Sequence, residues 1–249
     1  MEVELDRGSE RSGVRRLLCL IGLGCLLGAA TASETTLALA APASAQDCFT
    51  QHHNVVGSTA NLEYGAKGWI YVNTSTVINS LHDSLYRSFY GWRDAYNFVE
   101  VGWGAGPNNI SGNSGPTVYA YWQNSSTPGQ FVYKSLSDDT DYRFRLENVG
   151  DIYIWRFVFG SESSPFAYSP TMSFNQGYSQ SNSEHYSSCD SLYDHHYDLS
   201  YYTYQTGSWS SDWGNWYCNF NNTVDWYLHK DSASELHVTQ NGSGALSCP

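Results

Sequence analysis

From residue 69 onward, apolar and polar side chains alternate with a period of two in short stretches, each bounded by Gly, Asn, Ser or Pro. Successive side chains of a strand point to opposite faces, so this is the pattern of half-buried strands in antiparallel sheets. Strands are predicted over 69–72, 85–92, 97–103, 117–123, 142–147, 152–159, 197–204, 216–220, 224–229 and 236–240. In 97–103, Phe98, Glu100 and Gly102 share one face, and Val99, Val101 and Trp103 the other. In 117–123, Tyr119, Tyr121 and Gln123 oppose Val118, Ala120 and Trp122. Both strands therefore pair a dry face with a partly polar one. Tyr142, Phe144 and Leu146 alternate with Arg143, Arg145 and Glu147, core against solvent. The stretch 152–159 is apolar on both faces apart from Arg156, which predicts a central strand. Between 104 and 115 a run of Gly, Asn and Pro predicts a loop. Over 178–184, Tyr178, Gln180, Asn182 and Glu184 share a parity, with Ser179, Ser181 and Ser183 opposite. That reads either as a strand with one polar face or as a loop.

Composition supports strands over helices. Leu, Ala, Glu and Lys are sparse after residue 46, while Tyr, Trp, Phe, Ser, Thr, Asn and Gly dominate. Aromatic residues suit pleated surfaces, and Gly, Asn and Ser suit the turns between them. The expectation is an all-β fold, an antiparallel sandwich or jelly roll.

The N-terminal part has another character. Residues 17–30 form an apolar run of about 14 residues behind Arg15-Arg16, followed by small residues ending in Ala43-Ser44-Ala45. That is the form of a secretory signal peptide, too short for the ~20 residues of a membrane-spanning helix. The expected organisation is a signal peptide with an upstream extension over 1–45 and a single β-sandwich domain over 46–249, secreted and free of the membrane after cleavage. Cleavage after Ala32 would also fit. Of 12 Lys+Arg and 24 Asp+Glu, residues 1–45 hold four and five, leaving 8 against 19 and a formal charge of −11. Such a field repels nucleic acid and acidic membrane surfaces. An extracellular polypeptide or polysaccharide is the expected partner; nothing in the pattern sets an oligomeric state. Four cysteines remain after residue 45, and in an exported domain they read as two disulfides out of three possible pairings. Cys48 with Cys248 would tie the ends together. Cys189 with Cys218 would close a loop of about 30 residues, worth roughly 3 to 4 kcal/mol by chain entropy.

Spacing excludes several chemistries: there is no H-E-x-x-H, G-x-S-x-G, phosphate loop or dinucleotide fingerprint, so no cofactor is expected. No metal is expected either. The pairs His52-His53 and His195-His196 are adjacent, and neighbours on a strand point to opposite faces. Glu100 is the informative carboxylate. It stands in an otherwise apolar strand, which should desolvate it and raise its pKa, as a general acid requires. Gly102 on the same face would leave room for a ligand. The competing reading makes this the solvated face of the sheet and Glu100 an ordinary surface residue.

The segment FVEVGWGAGPNNISGNSGPTVYAYWQ, 98–123, resembles the neprosin-type glutamic peptidases. There a catalytic glutamate sits in a Glu-small-Gly-Trp strand, followed by a Pro/Gly/Asn loop and an aromatic strand ending in Tyr-Trp. The matching positions here are Glu100, Gly102, Trp103 and Tyr121-Trp122. The resemblance implies a concanavalin-like β-sandwich and a second glutamate later in the chain. Glu184 is the candidate, although Asn182-Ser183 stand where the family has Gly-Gly. One glutamate would then activate water while the other, protonated, stabilises the oxyanion, with activity at acid pH. Tyr119, Tyr121, Gln180 and Asn182 would donate hydrogen bonds to substrate. The chain also resembles secreted actinobacterial β-sandwich proteins of unassigned activity, whose shared pattern would be structural. A non-catalytic carbohydrate-binding or lectin-like domain is the alternative, motivated by nine Trp and twenty Tyr. For that role the cluster Trp209, Trp213, Trp216 and Tyr217, set among Gly, Ser and Asn, is expected to be exposed.

Overall fold

The computed structural model describes residues 53–74, 84–106, 110, 115–125, 127–150, 152–161, 163–185, 193–203, 207–211, 213, 217–221 and 227–239. All lie in the compact unit Ala45–Pro249. The chain runs through β1 (His53–Glu63), β2 (Gly65–Val72), β3 (Leu85–Asp94), β4 (Asn97–Ala105), β5 (Thr117–Asn124), β6 (Thr127–Ser135), β7 (Thr140–Asn148) and β8 (Trp155–Phe159). It continues through β9 (Ala167–Tyr168), β10 (Gly177–His185), β11 (Tyr193–Thr203), β12 (Ser208–Ser210), β13 (Tyr217–Asn221), β14 (Tyr227–Ser232) and β15 (Glu235–Thr239). Among the described residues there is no helix.

The strands form two antiparallel sheets. One has the order β13-β1-β10-β3-β4-β5-β6, the other β14-β15-β11-β2-β7-β8-β9, with β12 on β11. Their facing sides share one apolar core, to which Phe89, Val99, Val101 and Trp103 contribute from the first sheet and Ile70, Phe144, Leu146 and Leu199 from the second. The protein is thus an antiparallel, concanavalin-like β-sandwich. Local chemistry sets the β3–β4 hairpin. The Asp94 carboxylate accepts from the Tyr96 amide at 2.8 Å and from the Asn97 side chain at 2.9 Å, folding a two-residue turn. Register then places Glu100 beside Tyr90 on one side and Tyr121 on the other.

Three expectations change. The segment 152–159 becomes a strand only from Trp155, and β8 lies next to the short edge strand β9 rather than at the centre. Gly150 and Tyr153 both take positive φ, +85° and +59°, so the chain turns there and leaves Ile152 and Tyr153 exposed. Two strands carry no alternation signal: β1 sits between two neighbours, and β6 is an edge strand exposed along nearly its whole length. Of the tryptophan cluster, Trp209 and Trp213 do not form an exposed platform. Trp213 is buried in the core, and Trp209 is covered by Tyr202 and by the Lys67 ammonium 4.1 Å above its ring. Trp216 lies outside the described residues, as do Cys48, Cys189 and Cys248; Tyr217 and Cys218 are described only as backbone of β13.

Candidate active site

The outer face of the first sheet carries a groove. Period-two geometry puts Tyr86, Ser88, Tyr90 and Trp92 of β3 there, with Phe98, Glu100 and Gly102 of β4, Tyr119 and Tyr121 of β5, and Gln180, Asn182 and Glu184 of β10. Stretch 178–184 is therefore a strand, and both glutamates share a face. They also line the same cavity, of about 330 Å³, walled by Tyr86, Tyr90, Phe98, Ile110, Tyr119 and Tyr121, with Gln130 reaching in from β6. Glu100 is only 6% exposed and Glu184 9%.

Hydroxyl and amide donors surround the two carboxylates. Tyr119 donates a short hydrogen bond to Glu100 Oε1. The Tyr90 hydroxyl reaches Glu184 Oε2 at 3.5 Å, and the Asn182 amide lies 3.4 Å from both that oxygen and the Tyr90 oxygen. Burial, and then the negative charge of Glu184, pushes the Glu100 carboxyl up to about 7, partly offset by the Tyr119 hydrogen bond. Burial, reinforced by the charge of Glu100, holds the Tyr90 and Tyr119 phenols well above their ordinary range. Both phenols therefore stay protonated and keep an O–H to donate, while the Tyr90 oxygen also accepts from the Asn182 amide. What this arrangement offers is one carboxyl that keeps a proton near neutrality beside another that draws hydrogen bonds as an acceptor.

The remaining sequence candidates fall into place around these two. Tyr119 holds Glu100, while the half-buried Tyr121 hydroxyl donates to Gln123 Oε1 at 3.2 Å. Gln180 and Asn182 share the face but do not border the cavity. Gln180 donates to Ser58 Oγ at 3.4 Å, and Asn182 supports Glu184 and Tyr90. Gly102 has a different role from the one its sequence suggests. A Cβ there would lie 2.0 Å from the Arg87 carbonyl oxygen and 2.6 Å from the Ser88 Cα, so the glycine is required by the close approach of β3.

Sequence reasoning missed what lies beneath. On the inner face of the same strands, Arg87 Nε sits 3.0 Å from Asp194 Oδ2, and Arg87 Nη1 donates to the Glu184 carbonyl oxygen at 3.0 Å. Ser183 donates to the same Asp194 oxygen, and Ser181 meets His196 Nδ1, both by short contacts. His196 Nε2 lies 3.0 Å from Asp194 Oδ2 without hydrogen-bond alignment. Burial alone would raise the Asp194 carboxyl, but the neighbouring His196 ring and Arg87 guanidinium bring it below its ordinary range. Ser181, His196 and Asp194 superficially form a nucleophile triad. Each is sealed between the sheets at 1% exposure or less, so no substrate reaches them. They instead form a polar staple linking β10, β3 and β11 behind Glu184. The signal for it was the charged and imidazole residues at alternate positions of β11, but nothing in the sequence says that their face is the inner one.

No family model and no curated protein matches the chain. Among solved structures, scytalido-glutamic peptidase with a peptide-based transition-state analogue superposes with a TM-score of 0.50 at 8% identity, covering 77% of this chain and 98% of that one. SCP-B, a member of the Eqolisin family of peptidases in complex with the tripeptide Ala-Ile-His, gives 0.44 at 9% identity over the same shares. A carbohydrate-binding module from Bacillus subtilis gives 0.36 at 11% identity, over 56% and 81%. The first of these likenesses is one of fold: this chain shares the β-sandwich architecture of a glutamic peptidase.

Proposed function

We propose that this protein is a secreted hydrolase of the glutamic-peptidase kind, using Glu100 and Glu184 on an extracellular polypeptide. One observation carries the reading: two nearly buried glutamates line one open cavity, and one of them keeps its proton to about pH 7. Two carboxyls in one cavity, one of them holding its proton, can supply an acid and a base from the same residue type. Glu184 takes a proton from water as the water oxygen bonds to the scissile carbonyl carbon. Protonated Glu100 donates to the carbonyl oxygen as it becomes an oxyanion. The C–N bond then breaks while the proton on Glu184 passes to the amine nitrogen, and both carboxyls return to their starting state. Because Glu100 must hold its proton, activity belongs to the acid side and falls as pH rises through about 7. The motif resemblance of 98–123 to neprosin-type enzymes, and the apolar run 17–30, support the reading and its placement outside the cell.

A carbohydrate-binding surface would need free ring faces. The rings beside the cavity are stacked on one another instead, Trp92 on Phe98 at 5.0 Å and Phe98 on Tyr121 at 5.7 Å. The decisive experiment uses purified protein and an unstructured polypeptide at pH 4. Glu184→Gln removes the base and is expected to lower cleavage by about 10²–10⁴-fold, with circular dichroism reporting the fold. Wild-type cleavage by that variant, or none by the wild type, ends the peptidase reading.

A further inference from the structure

The outer face of the second sheet, on the other side of the sandwich, holds a second cluster of chemistry-bearing groups. His195 of β11 is directly opposite His237 of β15, and His237 is opposite His229 of β14, so three imidazoles form one cross-strand row. The rings of His229 and His237 stack at 4.5 Å, tilted by only 2°. Two carboxylates converge on this row. Glu235 Oε1 lies 2.8 Å from His195 Nε2, and Asp231 Oδ2 lies 2.5 Å from His237 Nδ1. One ligand atom from each of His195, Asp231 and Glu235 falls within 4.8 Å of the other two. Asp231 is there because β14 is bulged. Lys230 pairs with Leu236 and Ser232 with Glu235, which leaves Asp231 as the extra residue, and a bulge re-aims the side chain it carries.

We propose that His195, Asp231 and Glu235 bind a borderline divalent cation of the Zn²⁺ class, with His237 orienting the Asp231 carboxylate. One imidazole nitrogen and two carboxylate oxygens are a donor set that Zn²⁺ accepts at about 2.0 to 2.2 Å, leaving a fourth position open to water. The two carboxylates offset the charge of the ion. An imidazole in the set disfavours Ca²⁺ and Mg²⁺, which prefer all-oxygen surroundings. Around a tetrahedral ion at those bond lengths, ligand atoms are roughly 3.4 Å apart. Rotation of half-exposed side chains closes the remaining gap, since two of the ligands lie on one hairpin and the third on the strand paired with it. The ion would replace the hydrogen bond between His195 and Glu235. The contact of His237 with Asp231 would persist as the outer hydrogen bond that fixes a ligating carboxylate. None of these residues lines the groove of Glu100 and Glu184.

The test uses the whole protein, stripped with a chelator and titrated with Zn²⁺ by calorimetry and with Co²⁺ by visible absorption. One saturable equivalent is expected, with Co²⁺ giving the ligand-field bands of a low-coordinate site. His195→Ala and Asp231→Asn should each weaken binding tenfold or more, and His237→Ala by about 10–100-fold if it acts through Asp231. Peptide cleavage by His195→Ala should match the wild type, so failure here and failure of the peptidase reading remain distinguishable. Absence of a saturable equivalent overturns the site and leaves two imidazole–carboxylate hydrogen bonds. Binding unchanged in both His195→Ala and Asp231→Asn overturns it as well, and displacement of Zn²⁺ by equimolar Ca²⁺ overturns the class of ion.

Discussion

A carboxyl group walled in by tyrosines can give up its charge or collect hydrogen bonds, and Glu100 does both. Burial and the charge of Glu184 favour its protonated form, while the Tyr119 hydroxyl favours the carboxylate. The phenols cannot take the proton themselves, since they already hold their own: burial foremost pushes Tyr86 to about 12 and holds Tyr90 and Tyr119 well above their ordinary range. Removing the Tyr119 hydroxyl therefore has a definite sign. Tyr119→Phe takes away an interaction made to the charged form, so the Glu100 carboxyl rises above its wild-type value near 7. A hydrogen bond to a charged group is worth about 1.5 kcal/mol or more, which corresponds to roughly one pH unit. If the proton on Glu100 is needed for catalysis, the alkaline limb of kcat/KM in Tyr119→Phe moves upward by about that much. A limb that stays put, or moves down, would detach Glu100 from the proton-dependent step. Glu100 itself stood out in the sequence as a lone charge inside an apolar strand, but only its burial separates that reading from an ordinary surface carboxylate. Its tyrosine wall was legible only as parity in β5, since the β3 contribution depends on pairing between strands.

At the scale of the element, β10 is unusual in being polar on both faces while buried. Its outer face carries Gln180, Asn182 and Glu184; its inner serines are each about 1% exposed. That placement is stable because every inner hydroxyl has a partner: Ser179 donates to the Gly65 carbonyl at 2.8 Å, Ser181 meets His196, and Ser183 donates to Asp194. Parity along 178–184 revealed the outer face. It could not reveal the inner one, because the partners sit on β11, where Asp194 and His196 alternate with Tyr193, His195 and Tyr197 and hydrophobicity does not distinguish the two sides. Asp194 is the hub, balancing Arg87, which is itself 2% exposed. Asp194→Ala strips the guanidinium of its counter-charge in the interior and should destabilise the domain by about 3–5 kcal/mol. Urea unfolding measures it directly. Replacing Arg87 and Asp194 together by Met and Leu should recover much of the loss, because an apolar pair leaves no buried charge behind. A loss below ~1 kcal/mol in the single variant would mean that the staple contributes little to holding β10 against β11.

The whole molecule has to accommodate a groove whose chemistry works against its stability. The sandwich was legible from alternation and composition, but the order of strands was not, since β10 lies between β1 and β3 through pairings at least 86 residues apart in sequence. That non-local arrangement buries Glu100 and shifts its carboxyl from an ordinary 4.5 to about 7. Between those two values the unfolded chain releases a proton that the folded protein keeps, so stability falls as pH rises through this window and the effect is complete above about 7. The amount is ~3 kcal/mol. Glu63, only 9% exposed and raised to about 7 by burial, adds a contribution of the same sign. Comparison with Glu100→Gln isolates the first contribution, because Glu63 is present in both proteins and cancels. At pH 4 both states of the wild type are protonated at this position and the two proteins should differ little in their response to urea. By pH 8 the variant should have gained ~3 kcal/mol over the wild type. The gain must appear mainly between pH 4.5 and 7, and an equal difference at pH 4 and pH 8 would place the Glu100 carboxyl in water rather than in the groove. Stabilisation of the fold by the same substitution that alters the proton-holding group of the site would identify the cavity as a place where the sandwich tolerates an unfavourable charge for the sake of chemistry.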